Sequence, residues 1–189
     1  MVNMLKILVA AVILLAIVGY GLLGKKVLKT YILRTAKTPS SESFWLELIA
    51  VSLVAFFAIT NYVRNEPETN VLMWFGVLVF ISGGILQLVA RKHLYDDATF
   101  EDRLKSGFAA AQTGIYAHLR HPSQAALLLM TLGLCLTTDS IWALGVFVVL
   151  FIPSVLFRIS SEEQKLLDQF GDRYDAYRED SKRIIPGIY

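Results

Sequence analysis

Apolar residues in this chain come in long blocks rather than in alternation. Ile7 to Gly24 is 18 residues without a charge, and Val71 to Ala90 is another 20. Phe44 to Val63 holds a single charged residue, Glu47, one turn inside its start. Ser123 to Thr138 and Ile141 to Phe157 are shorter, with Asp139 marking a tight hairpin between them. Blocks of about 20 apolar residues suit a helix across a hydrocarbon core of about 30 Å. Lipid admits only helices and closed barrels, because backbone polar groups find no water there. Barrel strands would alternate apolar and polar residues, and these blocks do not. The pattern predicts an all-α integral membrane protein with five transmembrane helices, over 7–24, 44–63, 71–90, 123–138 and 141–157, in one domain spanning 1–189. The first block exceeds the 7–15 residues of a signal-peptide core and has no small-x-small site before Lys25-Lys26, so it reads as a retained anchor.

Composition agrees. The 189 residues are 55% hydrophobic and 18% charged, against about 25% charged in soluble domains. The apolar excess rules out a disordered chain. Cys135 is the only cysteine, which excludes a disulfide scaffold. A net charge of +2 gives no footing for a nucleic-acid partner. Charge placement says more. All of the 18 basic residues except Lys6 and Arg64 fall in segments 25–37, 91–120 and 158–183, which five spans put on one side. Basic residues stay cytoplasmic. The N-terminus is therefore expected outside, with the C-terminus and any active site cytoplasmic.

The polar segments on that side, 25–43, 91–122 and 158–189, are long, whereas 64–70 and the Asp139 turn are minimal. Chemistry is expected at the cytoplasmic face. Leu166, Leu167, Phe170, Tyr174 and Tyr177 repeat at helical spacing and predict a C-terminal amphipathic helix. Lying on the membrane surface is an alternative role for it. Ser160 and Glu163 have the spacing of a capping box; alternatively the fifth span runs on without a cap. Gly171 interrupts the helix at up to about 1 kcal/mol, and Pro186 ends the ordered tail.

His93, His118 and His121 are all the histidines. His118 and His121 share a helical spacing, but Pro122 disfavours helix at the residue before it. No H-E-x-x-H pattern is present, so no metal site is expected. A G-x-G-x-x-G turn after a strand and a P-loop are both absent as well. Arg120-His121-Pro122 stands where a polar segment meets the fourth span. Proline suits the first helical position, and the free N–H groups beyond it form a seat for a carboxylate. Arg120 and His121 add donors there, or else anchor the interface, Arg120 by snorkelling and His121 by capping. Arg158 and Glu162 are four apart and can pair on one helix face. With Glu163 they can also face His121 across the hairpin and grip a zwitterionic ligand.

Gly114-Ile115-Tyr116 followed by Arg120-His121-Pro122 resembles the G-(I/P)-Y-x-x-x-R-H-P motif of the isoprenylcysteine carboxyl methyltransferase family and related phospholipid methyltransferases. Arg158, Glu162-Glu163, Leu166-Leu167, Phe170-Gly171, Tyr174, Tyr177, Arg183 and Pro186 resemble that family's closing pattern of R, EE, L, FG, Y, Y, R and P. The likeness covers roughly residues 85–189. It implies an enzyme with S-adenosyl-L-methionine as methyl donor, bound between the last spans and the tail helix. Carried over, Gly114, Ile115, Tyr116, His121 and Pro122 line the cofactor pocket. Glu162 or Glu163 accepts hydrogen bonds from the cofactor, and Tyr174 with the Arg183 to Pro186 segment closes the site. Gln112 occupies a position often polar or basic in the family and joins the cofactor set. Arg158 matches the arginine that faces the acceptor, which makes Arg158 and Glu162 the catalytic candidates.

One departure is local: Ser123 and Gln124 follow Pro122, where the family usually has tyrosine two residues on. The implied activity is methylation of a lipidic or prenylated acceptor, in first place the carboxylate of an isoprenylcysteine. Methyl transfer from an activated donor needs mainly orientation and exclusion of water. A carboxylate acceptor needs no base, whereas an amine would need one, such as a glutamate. Alternatives are a phospholipid amine N-methyltransferase, an NADPH-dependent enzyme like the membrane sterol reductases, whose C-termini resemble residues 183–189, and a non-catalytic membrane interaction protein. Gly83-Gly84 permits close helix packing, within one chain or between copies. The sequence leaves the oligomeric state open.

Overall fold

The computed structural model describes residues 41–65, 70–95 and 114–185; the first expected span lies outside the described residues. The described chain is helical, with one isolated parallel bridge between Leu119 and Lys182. Helix α1 is Ser41–Arg64, with Glu42 in its first turn and Arg64 in its last. Both charges complement the helix dipole. Helix α2 is Val71–Tyr95. The Met73 N–H donates to Asn70 Oδ1 at 2.8 Å, which makes Asn70 the N-cap. Helix α3, Pro122–Thr137, starts on its proline.

The hairpin after α3 turns at Asp139, whose φ is 49°, a conformation that aspartate tolerates better than most side chains. Ser140 caps the next helix by accepting from the Ala143 N–H at 3.2 Å. From α1, Asn61 Nδ2 donates to Thr138 O at 2.9 Å and to Asp139 O at 3.3 Å. One amide thus holds the carbonyls of the turn. Helix α4, Ile141–Val146, runs through a π-helical stretch, Phe147–Phe151, into α5, Ile152–Phe170. Pro153 explains the wider turns before it: it has no N–H to give the preceding turn, and its ring needs room there.

Ile141 to Phe170 is one run of 30 residues, about 45 Å long and longer than the hydrocarbon core. The capping-box alternative is therefore not realised; the fifth span continues into the tail, and Ser160 and Glu163 lie mid-helix. Gly171 does more than interrupt. At φ 53°, ψ −132° it ends α5 and starts a separate helix α6, Asp172–Asp180. The expected single amphipathic tail helix is divided, with Leu166, Leu167 and Phe170 half-buried on α5 and Tyr174 and Tyr177 buried on α6.

Three described stretches are long and apolar enough to cross a membrane: Glu42–Arg64, Val71–Lys92 and Ile141–Phe170. Helix α3, the fourth expected span, is a shorter apolar helix of 16 residues. Two seams hold the bundle. Ala50, Val54 and Ala58 on α1 step by four, as do Phe147, Phe151, Val155 and Ile159, and these residues form one core with Cys135 and Ala143. Helices α2 and α3 run antiparallel on glycine. A Cβ on Gly76 would lie 2.5 Å from Thr137 N, and one on Gly133 would lie 2.5 Å from Phe80 N. Gly83 faces Ala126 O and Met130, whereas Gly84 meets nothing within 4 Å. Of the Gly83-Gly84 pair, the first serves packing within the chain. Leu46, Ile49, Phe56, Phe75, Leu78 and Leu88 remain exposed, as expected of side chains that face lipid.

Gly133→Val is expected to destabilise the protein by about 3 kcal/mol, because the clashing atoms are backbone and cannot rotate away. Gly84→Ala should stay within about 0.5 kcal/mol. Thermal unfolding in detergent measures both.

Candidate functional site

The chain leading into α3 is fixed from both sides. Gly114 opens a short 3-10 turn, Gly114–Ala117, with φ 64°, which glycine adopts without strain. Tyr116 is buried in that turn. Its carbonyl accepts from the Tyr177 hydroxyl of α6 at 2.7 Å. Beyond the turn the chain pairs with the tail: Lys182 N donates to His118 O at 3.0 Å, Arg120 N to Lys182 O at 2.7 Å, and His121 N to Arg183 O at 3.0 Å. The start of α3 and the end of the chain therefore form one unit.

Side chains reinforce it. Glu163, 4% exposed, accepts from Arg120 Nε at 2.9 Å on Oε1 and from Arg183 Nε at 2.9 Å on Oε2. Arg183 Nη2 is 2.7 Å from Oε2 as well. Arg120 Nη1 donates to Arg178 O at 3.0 Å and also to Ser181 O, carbonyls at the C-terminal end of α6, a site cations favour. Arg120 thus turns inward and closes α6 instead of snorkelling. His121 stands at the N-cap position without a side-chain cap bond.

His121 lies between the paired glutamates. Its Nδ1 is 3.8 Å from Glu162 Oε2 and its Nε2 is 3.5 Å from Glu163 Oε1. Nε2 is buried without a hydrogen-bond partner, and so is the Tyr174 hydroxyl. Burial pushes the Tyr174 phenol above its ordinary range, the Glu163 charge adds to that, and Arg120 opposes it. Tyr174 therefore remains a neutral O–H donor. Burial likewise raises Tyr177.

A second polar cluster adjoins the first. Arg158 Nε donates to Glu162 Oε1 at 2.9 Å, the i, i+4 pair that the spacing allows. Arg158 Nη1 donates to Glu47 Oε2 at 2.7 Å, and the Phe44 ring lies 5.3 Å from the guanidinium carbon. The Gln124 amide, with its nitrogen toward α1, donates to Glu47 Oε1 at 3.0 Å and accepts from Arg158 Nε at 3.2 Å. Glu162 is thus shared between His121 and Arg158, while Arg158 is also held from α1. Of the residues expected in the site, His121, Glu162 and Glu163 come together. Pro122 starts the helix beside them, and Tyr116 and Tyr174 pack through Tyr177. Gly114 and Ile115 form the turn that carries Tyr116. Gln112 lies outside the described residues. Sequence reasoning missed Glu47 and Gln124 as members. A charge inside an apolar span was the signal for Glu47; the departure after Pro122 was the signal for Gln124.

Comparison with known proteins adds a family. The model of the phospholipid methyltransferase family matches residues 71–173, from the start of α2 to just before Tyr174. A protein-S-isoprenylcysteine O-methyltransferase of Dictyostelium discoideum is 25% identical over 171 residues, covering 79% of this chain and 67% of the relative. One of Schizosaccharomyces pombe is 35% identical over 158 residues, covering 77% of this chain and 52% of the relative. The chain therefore spans about half to two thirds of the length of these curated relatives. No solved structure matches it.

Glu163→Ala leaves Arg120 and Arg183 without their shared carboxylate. The expected loss is about 3–5 kcal/mol, with faster proteolysis at Lys182 and Arg183. Asp175→Asn, which removes the exposed pair with Arg178, should change stability by less than about 1 kcal/mol. Melting and limited digestion in detergent compare the two.

Proposed function

The chain belongs to the phospholipid methyltransferase family, and on that footing we propose that this integral membrane protein methylates the carboxylate of a lipidic, prenylcysteine-like acceptor, with S-adenosyl-L-methionine as donor. The observation that carries the reading is His121. It is buried at the start of α3, between Glu162 and Glu163, with Nε2 no closer than 3.5 Å to the Glu163 carboxylate and the Tyr174 hydroxyl without a hydrogen-bond partner. Buried polar atoms without partners are rare in folded proteins and call for an explanation. A polar ligand supplies one.

The charges fit the donor's amino-acid end. Arg120 and Arg183 outnumber Glu163, so that cluster carries a formal positive charge; Glu47 and Glu162 outnumber Arg158, so the other is negative. His121 stands beside both. Such a pair of neighbouring fields suits a zwitterion that also bears a sulfonium. S-Adenosyl-L-methionine supplies, when bound, a methyl group already activated for displacement. Gly114, Ile115, Tyr116, His121, Pro122, Glu162, Glu163 and Tyr174 are proposed to hold it, with Gln112 contributing from outside the described residues. Arg158 would orient the acceptor's carboxylate, which needs no general base. The paired tail and α6 would keep water away, and holding the reactants in line is where most of the rate gain arises. The membrane site lets a lipid acceptor enter from the bilayer. A prenylated protein is the partner this implies.

The two carboxylates around Arg158 favour a second reading, the amine of a phospholipid, for which Glu162, one-third exposed, would serve as base. Binding and transfer assays decide. Purified in detergent, the protein is expected to bind S-adenosylhomocysteine, and His121→Ala and Glu162→Ala should each weaken binding about tenfold, the size of one charge-assisted hydrogen bond. A folded protein that binds none sinks the reading. Methyl transfer to a prenylcysteine acid but not to phosphatidylethanolamine selects the carboxylate; the reverse selects the amine.

We also propose that the site faces the cytoplasm and the N-terminus the outside, as the basic residues argue. Cysteines placed singly at the exposed positions Arg64 and Lys182 test this in intact cells. An impermeant thiol reagent should label the first and spare the second; labelling at 182 alone inverts the topology.

A further inference from the structure

Glu47 and Arg158 are 111 residues apart in sequence and pair at 2.7 Å, both almost fully buried. Glu47 reaches the pair from an apolar helix whose neighbouring side chains, Leu46, Leu48 and Ile49, are exposed. Around the guanidinium lie Glu47 Oε2 on Nη1, Glu162 Oε1 on Nε, and the Phe44 ring. Among the described contacts, two carboxylates therefore oppose one cation. That balance holds for the protein alone and becomes a difficulty once Arg158 must also receive an anionic acceptor.

A third carboxylate beside one arginine would add a second uncompensated negative charge in a place with little water, and uncompensated buried charge is strongly disfavoured. Glu162 has relief at hand, being one-third exposed to solvent. Glu47 has neither solvent nor a cation besides Arg158 among the contacts its carboxylate makes. Its other oxygen accepts from Gln124, a neutral amide. Among the described residues, the charged groups that face Glu47 are Arg158 and Glu162, both on α5; α3 contributes the Gln124 amide.

We propose that Glu47 is the charge-compensating residue of the acceptor site, taking up one proton from solvent when a lipid carboxylate binds to Arg158. The inference rests on the reading of Arg158 as the acceptor's seat. The balance closes simply. The incoming carboxylate replaces Glu47 on Nη1, Glu47 becomes a neutral carboxylic acid, and the formal charge of the cluster is unchanged. Glu47 Oε1 keeps its bond from Gln124, and the new O–H on Oε2 donates to the incoming carboxylate. Glu47 thereby makes binding of the acid proton-linked and binding of the ester not, because the methylated product carries no charge and draws no proton. It also links release of product to return of that proton.

The test is calorimetric binding of N-acetyl-S-farnesyl-L-cysteine, and of its methyl ester, to the full chain in detergent, each in two buffers of different ionisation enthalpy. The acid should bind with uptake of about one proton, and its affinity should fall up to tenfold per pH unit where Glu47 pairs as a carboxylate. The ester should bind with none. In Glu47→Gln the uptake should vanish and the acid's affinity become independent of pH. Acid binding without proton uptake overturns the proposal, as does unchanged uptake in Glu47→Gln, or uptake lost in Glu162→Gln instead. Failure of the folded protein to bind the acid overturns it too. Should Glu47→Gln fail to fold, Glu162→Gln decides: uptake retained there with the acid, and absent with the ester, supports the proposal, and uptake lost there overturns it. Proton-linked binding of the acid without any methyl transfer would defeat the proposed function and leave this inference standing. Methyl transfer without proton uptake would do the opposite.

Discussion

A carboxylate with 4% of its surface exposed must find its counter-charges inside the fold, and Glu163 finds two: Arg120 before α3 and Arg183 near the end of the described chain. Each partner does a second thing. Arg120 also takes the last carbonyls of α6, so one guanidinium ties α5 and α6 to the approach of α3. Arg183 belongs to the stretch whose backbone pairs with residues 118–121. Removing the carboxylate would loosen a helix end, a tail and the start of a span together. This shared dependence holds the polar cluster together as one unit.

His121 owes its position to that clasp. Its own backbone N–H is held by Arg183 O, its ring is set between Glu162 and Glu163, and proline after it fixes where the helix begins. Glu162 then links the clasp to the Arg158 cluster, and Glu47 links that cluster to α1. A chain of side chains thus runs from the tail to the first described helix. Arg183 stands beside Glu163, and Arg158 between Glu162 and Glu47, so groups of opposite demand sit within one small volume.

The apolar part of the molecule is built on a different rule. In lipid no hydrophobic gain rewards burying leucine, so helices meet where backbones can approach. Gly76, Gly83 and Gly133 make that approach between α2 and α3, and Phe75, Leu78 and Leu88 of α2 face outward. The Pro153 ring and the π-helical turns before it break the regular ladder on the way to Arg158. Any such change in winding resets which face of α5 the following residues present.

Much of this was legible in the sequence. Uncharged blocks, the proline after His121 and the lone Asp139 turn located the helices and their hairpin, because local composition and backbone chemistry suffice for that. The paired glutamates and the Arg-His-Pro run marked the residues that the fold brings together around His121, and the spacing of Arg158 and Glu162 announced their bond. The tail was read as one amphipathic helix since the apolar period continues past Gly171; only a backbone angle, invisible in residue order, divides it. The partners of Arg120 and the entry of Glu47 and Gln124 were decided by tertiary structure. The bonds of Arg120 to Glu163 and of Glu47 to Arg158 join residues 43 and 111 positions apart, and a charge in an apolar span announces that it needs a partner without saying which. By itself the sequence determined that this chain crosses a membrane and where its polar chemistry lies. Only the packing of the helices decided which charges meet, since burial forces each charge to the counter-charge that the fold brings within reach.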